Sequence, residues 1–136
     1  MKKEVLKSEA IANVTIPVSI KYTINIGRWI RGNNVDKAIL KLEKVMQKKL
    51  PLPIVTFKMD VPHKKGIAAG RYPVKTANYV IDALKLVKAN AKHKGLDESN
   101  LIINEFIPNF AYSISQRGKF SRGRLIKLKI GVVVKK

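Results

Sequence analysis

The sequence predicts an α+β fold: a small antiparallel sheet packed with three helices, plus a long extended β-hairpin. Three observations carry that prediction. A β-branched run lies near the start, at residues 10–18. Helical spacing of apolar residues then recurs between residues 20 and 94. Two β-prone runs close the chain around a basic segment containing glycine. Only short Pro or Gly punctuation separates these elements, with no repeat or low-complexity tract, so the 136 residues read as one domain. Its globular body is expected over about 10–107 and 132–136, and the extended hairpin over about 108–131.

The elements follow in order. Residues 10–18, Ala10 to Val18, read as a strand, and Pro17 marks an edge position or the strand's end. Ser19 is a plausible N-cap for a short helix over 20–31, with Ile20, Ile24, Ile26 and Ile30 as its apolar positions. Gly32-Asn33 ends it, and Asn34 can cap the next helix. That helix, over 35–49, has Val35, Ile39, Leu42 and Met46 on one stripe and Lys37, Lys41, Lys44 and Lys48 opposite. Pro51 and Pro53 stop it. A basic, glycine-containing loop occupies 57–73. A long helix over 74–94 follows, with Ala77, Ile81, Leu84, Val87 and Ala91 in one stripe and Gly95 as its stop. Residues 101–107 are apolar and β-prone, 110–115 alternate, and 125–134 alternate before ending as an apolar run. The last two flank Gln116 to Arg124 as an antiparallel hairpin with arms of roughly 30 Å.

Charge narrows the function. With 28 Lys plus Arg against 9 Asp plus Glu, the formal charge is +19, while 46% hydrophobic residues exclude wholesale disorder. Such an excess points to a polyanionic partner, nucleic acid first. Residues 1–56 carry 11 basic and 4 acidic groups, residues 57–100 carry 9 and 4, and residues 101–136 carry 8 and 1. No third is neutral, so contact with the partner is expected on several sides. The sequence has no Cys, which excludes disulfides, thiolate nucleophiles and Cys-based metal sites. No apolar stretch is long enough to span a membrane, and the basic start is followed by no signal-peptide core.

Catalysis finds no support. His63 and His93 sit among lysines without an Asp or Glu at triad or metal spacing. Gly66 to Gly70 lacks the Gly-Lys-Ser/Thr ending of a phosphate loop, and the acids are scattered. Two basic clusters stand out instead. In the 63–73 loop, Lys64, Lys65 and Arg71 can neutralise phosphates while Gly66 and Gly70 allow close backbone approach. At the hairpin tip, Arg117, Lys119, Arg122 and Arg124 lie within eight residues around Gly118 and Gly123. Arginine forks suit phosphates and stack on bases, and Phe120 can stack or meet a protein. Trp29 and Tyr22 are read as packing residues.

A family resemblance joins these clusters. His63-Lys64-Lys65-Gly66, then Ala69-Gly70-Arg71-Tyr72-Pro73-Val74-Lys75, run on to Ala89-Asn90-Ala91 and Lys94-Gly95-Leu96-Asp97. With Ser19-Ile20-Lys21, Ile30-Arg31-Gly32 and the closing Val132-Val133-Val134, these resemble the universal large-subunit ribosomal protein family twenty-two, seventeen in eukaryotic naming, in its archaeal/eukaryotic form. The likeness covers 10–136, and the 63–97 segment decides it.

The resemblance implies a structural, non-catalytic protein of the cytoplasmic large subunit, without cofactor or metal. It would bind and organise large-subunit rRNA during assembly, with its hairpin lining the nascent polypeptide exit tunnel. The expected partners are that rRNA, neighbouring large-subunit proteins and the nascent polypeptide, with no membrane and no homo-oligomer. The rRNA contacts would be Lys21, Arg28 and Arg31 in the first helix, and His63, Lys64, Lys65, Gly66, Arg71 and Tyr72 in the loop. Lys75, Lys92 and Lys94 would add to them from the long helix, and Arg117, Lys119, Arg122, Arg124 and Lys127 from the hairpin. The tip, Gln116, Arg117, Gly118, Lys119, Phe120, Ser121 and Arg122, departs from the family's usual Pro-Arg-Ala pattern, so no single tunnel-gating residue is carried over. A free architectural nucleic-acid-binding protein is the alternative.

Overall fold

The computed structural model describes residues 8–115 and 122–135. Strand β1 spans Ala10–Ile16, helix α1 Ile20–Ile30 and helix α2 Val35–Met46. Two short strands, β2 at Leu52–Pro53 and β3 at Gly70–Arg71, precede helix α3 at Val74–His93. A 3-10 turn at Glu98–Asn100 leads into β4, Leu101–Ser115, and the chain closes with β5, Arg122–Val134. The fold is α+β: an antiparallel sheet in the order β1-β5-β4, with the β4–β5 hairpin extending from it.

The period-two pattern of β5 decides which face is covered. Ile126, Leu128, Ile130 and Val132 are buried, while Lys127 is exposed on the other side. Ala10, Ala12 and Ile16 of β1, and Leu101, Ile103 and Phe106 of β4, join that buried layer. Helices α1 and α3 pack on the sheet, and α2 packs on α3. The helical stripe predicted for α3 is buried through Ala77, Ile81, Leu84, Val87 and Ala91. Burying each large aliphatic side chain contributes roughly 1.5–3 kcal/mol, so this interface is the main source of the body's stability.

Several boundaries differ from the sequence reading, each for a local reason. Strand β1 stops at Ile16, one residue before Pro17. Helix α2 stops at Met46, well before the prolines, because Lys48 adopts a left-handed φ of 57° and the N–H groups of Lys49 and Leu50 close on the Lys44 carbonyl. Ser19 occupies the N-cap position of α1, but its side chain makes no capping bond. Asn34 does cap α2, accepting from the Asp36 N–H at 2.9 Å. The separate apolar runs at 101–107 and 110–115 form one strand, with register shifts between Ile103 and Glu105 and between Phe110 and Tyr112. Pro108 is carried within it because β4 is an edge strand. The start of that edge is covered by the α1–α2 turn, where Gly32 N–H donates to the Ile103 carbonyl at 2.8 Å and Ile103 N–H to Asn33 at 3.0 Å.

Gly27 fixes how closely α1 lies on the sheet. A Cβ there would run into the ring of Phe106, so the helix meets β4 at a point where only hydrogen fits. Strand β1 pairs with β5 from Ala10↔Val132 to Ile16↔Ile126. Beyond that, β4 and β5 pair with each other alone as far as Ser115↔Arg122, an extension of about 17 Å.

Candidate nucleic-acid interface

The 57–73 loop is built, not slack. Ile54 N–H donates to the Ala69 carbonyl at 2.9 Å beside the β2–β3 pairing, which anchors the loop at its base. Lys64 and Ile67 then close a tight turn, Ile67 N–H to the Lys64 carbonyl at 3.0 Å, with Gly66 at a left-handed φ of 82°. Gly70 is buried where a Cβ would meet the Ile67 and Lys64 side chains. The turn therefore displays His63, Lys65 and Gly66 to solvent and holds Lys64 half-buried, 6.0 Å from the centre of the Tyr72 ring.

The predicted contacts fall into separate groups. Lys21 is exposed in the first turn of α1, and Arg28 in its last. Arg31 is exposed, yet its guanidinium donates to the Phe106 carbonyl at 2.8 Å and so also ties α1 to β4. Arg71 and Tyr72 are half-buried beside the start of α3, and Lys75 is exposed in its first turn. Lys92 and Lys94 lie at the far end of α3, about 25 Å away along the helix axis. There Lys92 faces Glu98 at 3.4 Å, and Lys94 donates to the Glu9 carbonyl at 2.9 Å. Arg124 and Lys127 are exposed on β5. Lys127 and Lys129 share a shallow outer-face depression with Asn13, Thr15 and Asn109, and Lys129 pairs with Glu105 at 3.0 Å. Gln116, Arg117, Gly118, Lys119, Phe120 and Ser121 lie outside the described residues, and of Arg122 only the backbone pairing with Ser115 is described.

One groove, of about 750 Å³, gathers part of this set. It lies between the start of α1, the start of α3 and the base of the hairpin, and brings together Lys21, Lys75 and Arg124. Lys58 completes the cationic rim, its Nζ 4.9 Å from the centre of the Tyr22 ring. Sequence reasoning missed Lys58 because its place depends on a loop folding back onto α1. Tyr22 and Trp29 are half-buried against the core, as packing residues, and each also carries a lysine over its ring.

Charge elsewhere is partly internal. Lys88 pairs with Asp36 at 2.7 Å, and Lys41 lies 5.2 Å from the centre of the Trp29 ring. Asp97 caps the 3-10 turn: the Ser99 hydroxyl, the Ser99 N–H and the Asn100 amide all donate to it and hold its carboxyl below the ordinary value. Among the described residues there is no group of three or more His, Asp or Glu that could hold a metal ion, and no helix is long and apolar enough to cross a membrane.

Comparison with known proteins shows what the chain is similar to. A family described as ribosomal protein L22p/L17e matches residues 11–129. The large ribosomal subunit protein uL22 of Archaeoglobus fulgidus is 42% identical over 91 residues, covering 65% of this chain and 59% of the relative. Its counterpart in Picrophilus torridus is 36% identical over 112 residues, covering 82% and 66%, and that of Methanococcus aeolicus 35% over 113 residues, covering 81% and 74%. The matched region is thus less than two thirds of the first two relatives' length.

Proposed function

The chain belongs to the ribosomal protein L22p/L17e family, and on that premise we propose that it is a structural constituent of the cytoplasmic large ribosomal subunit that binds and organises large-subunit rRNA. The observation that carries this is the family match over residues 11–129, nearly the whole described fold. The structure supplies a physical counterpart. Cations stand on α1, on the 63–66 turn, at both ends of α3 and on the hairpin, so RNA can be held from several directions at once. Phosphate contacts of this kind position a protein without reading sequence, which suits a scaffold around which RNA segments fold. In this reading the chain works without catalysis.

The hairpin reading follows the same premise. The β4–β5 extension projects from the three-stranded part and carries Arg124 and the half-exposed rings of Phe110 and Tyr112. Its role is to run into the subunit and line the wall of the exit tunnel, in contact with the nascent polypeptide. Neighbouring large-subunit proteins meet the body at the surface. The chain folds as one domain in which 126–132 belong to the sheet of the body as well as to the hairpin.

Sedimentation of a native lysate at moderate salt tests the central reading. The protein is expected to travel with large subunits and their assembly precursors. Its retention at the top of the gradient would overturn the reading. Tighter binding to duplex DNA than to structured rRNA would turn it towards a free architectural nucleic-acid-binding protein.

A further inference from the structure

Residues 55–59 are held in a backbone conformation that costs the free chain stability, and we infer that they form a stacking platform: an unpaired RNA base lies on the Phe57 ring, with an adjoining phosphate on Lys58. The inference rests on the rRNA-binding reading above and gives it a local contact.

The backbone comes first. Phe57 and Lys58 are consecutive and both left-handed, with φ of 54° and 47°. Turns of that kind are ordinarily filled by Asn and Gly, because a Cβ is crowded there and a bulky side chain most of all. Lys48, the other non-glycine residue with positive φ among the described residues, follows the end of α2, where such a conformation is routine. Phe57 and Lys58 follow no helix. Asn25 keeps them in place, its amide bonding the N–H groups of Val55 and Thr56 and the Thr56 carbonyl. Strain that the surroundings overdetermine in this way is characteristic of binding sites.

The side chains are an independent observation. Val55, Phe57 and Met59 are 54%, 49% and 64% exposed. Three large apolar residues out of five thus face solvent, and the strained turn adds nothing to the core. The hydroxyl oxygen of Thr56, between them in sequence, is buried and has no hydrogen-bond partner among the described residues. None of these features helps the chain to fold. Together they describe a surface shaped for a contact supplied from outside.

Charge selects the partner. Lys58 stands between Phe57 and Met59, with its Nζ 4.9 Å from the centre of the Tyr22 ring. It lines the groove that also holds Lys21, Lys75 and Arg124, and no carboxylate lines that groove. Asp60 is the one acid among residues 54–65, against Lys58, Lys64 and Lys65. An apolar ring beside uncompensated cations suits a polyanion that also carries flat faces. Single-stranded RNA can lay a base on such a ring while its phosphates meet the cations; paired bases in a duplex cannot.

The test measures binding of the full chain to two labelled RNAs of equal length, one single-stranded and one duplex. Phe57→Ala should weaken single-strand binding about tenfold and leave duplex binding unchanged. It should also leave the salt dependence unchanged, since stacking releases no counterion, whereas Lys58→Ala should reduce the single-strand slope by about 0.7. Phe57→Gly relieves the backbone, so its urea midpoint should rise while single-strand binding falls by the same factor. A photoreactive group introduced in place of Phe57 should cross-link to rRNA in purified large subunits. Unchanged single-strand binding in Phe57→Ala, equal loss for both RNAs, or a lower urea midpoint in Phe57→Gly overturns the proposal. Cross-linking to a neighbouring protein alone overturns it too. Co-sedimentation with large subunits alongside unchanged RNA binding in Phe57→Ala would sink this inference and leave the proposed function standing.

Discussion

Asn25, 2% exposed on the buried side of α1, uses its whole side-chain amide. Its oxygen accepts from the N–H groups of Val55 and Thr56 at 3.0 and 3.1 Å. Its nitrogen donates to the Thr56 carbonyl at 2.7 Å and to the Lys21 carbonyl at 2.9 Å. These bonds pin the loop that carries Lys58 onto α1, where Lys58 meets Tyr22. Asn25→Ala would leave buried backbone groups of that loop unpaired. We expect a loss of about 2–4 kcal/mol in urea unfolding, with hydrogen-exchange protection falling first at Val55 and Thr56. Nothing in the sequence marks this residue, because its partners lie thirty positions along the chain. The cap at Asn34 was legible for the opposite reason: its partner is two residues away. Gly27 shows the same divide, since its meaning is the Phe106 ring that occupies the space of a Cβ.

The helices are legible as elements because an amphipathic stripe is a local pattern, and α1, α2 and α3 begin where their spacing begins. The pairs β2 and β3 were not, since two-residue strands carry no period. Nor was the continuity of β4, because Pro108 and Asn109 interrupt its β-prone residues and two register shifts disturb its alternation. The hairpin offers a prediction at this scale. Replacing residues 113–124 by an Asn-Gly turn removes pairs beyond Tyr112↔Leu125 and keeps Ile126, which is 1% exposed and belongs to the core. Cooperative thermal unfolding is expected to persist, with the midpoint shifted by no more than about 5 °C. A shift much larger than that, or a non-cooperative melt, would show that the hairpin's outer part supports the body. A deletion reaching Ile126 should unfold the body, because it opens the strand that α3 and β1 both pack against.

For the whole molecule, the charge of +19 means that binding to RNA should be dominated by counterion release. Affinity for large-subunit rRNA should fall about a thousandfold between 50 and 200 mM salt if some six phosphates are engaged. A nearly flat salt dependence in a filter-binding assay would mean that the cations are not on phosphates. The sequence could reveal the excess charge and its spread, because both are sums over residues. It could not reveal that Lys21, Lys58, Lys75 and Arg124 share one groove, because that depends on how α1, α3 and the hairpin close on each other. The sheet order has a different consequence. β5 is the central strand, and both of its partners, β1 and β4, precede it in sequence. As the chain is made, β1 and β4 have no common neighbour until residues 122–134 emerge, so the sheet closes only once β5 has been made. A product truncated within the hairpin would present two unpaired strand edges and a bare helical layer, and would be sorted by chaperones and proteases before it could compete for a place on RNA.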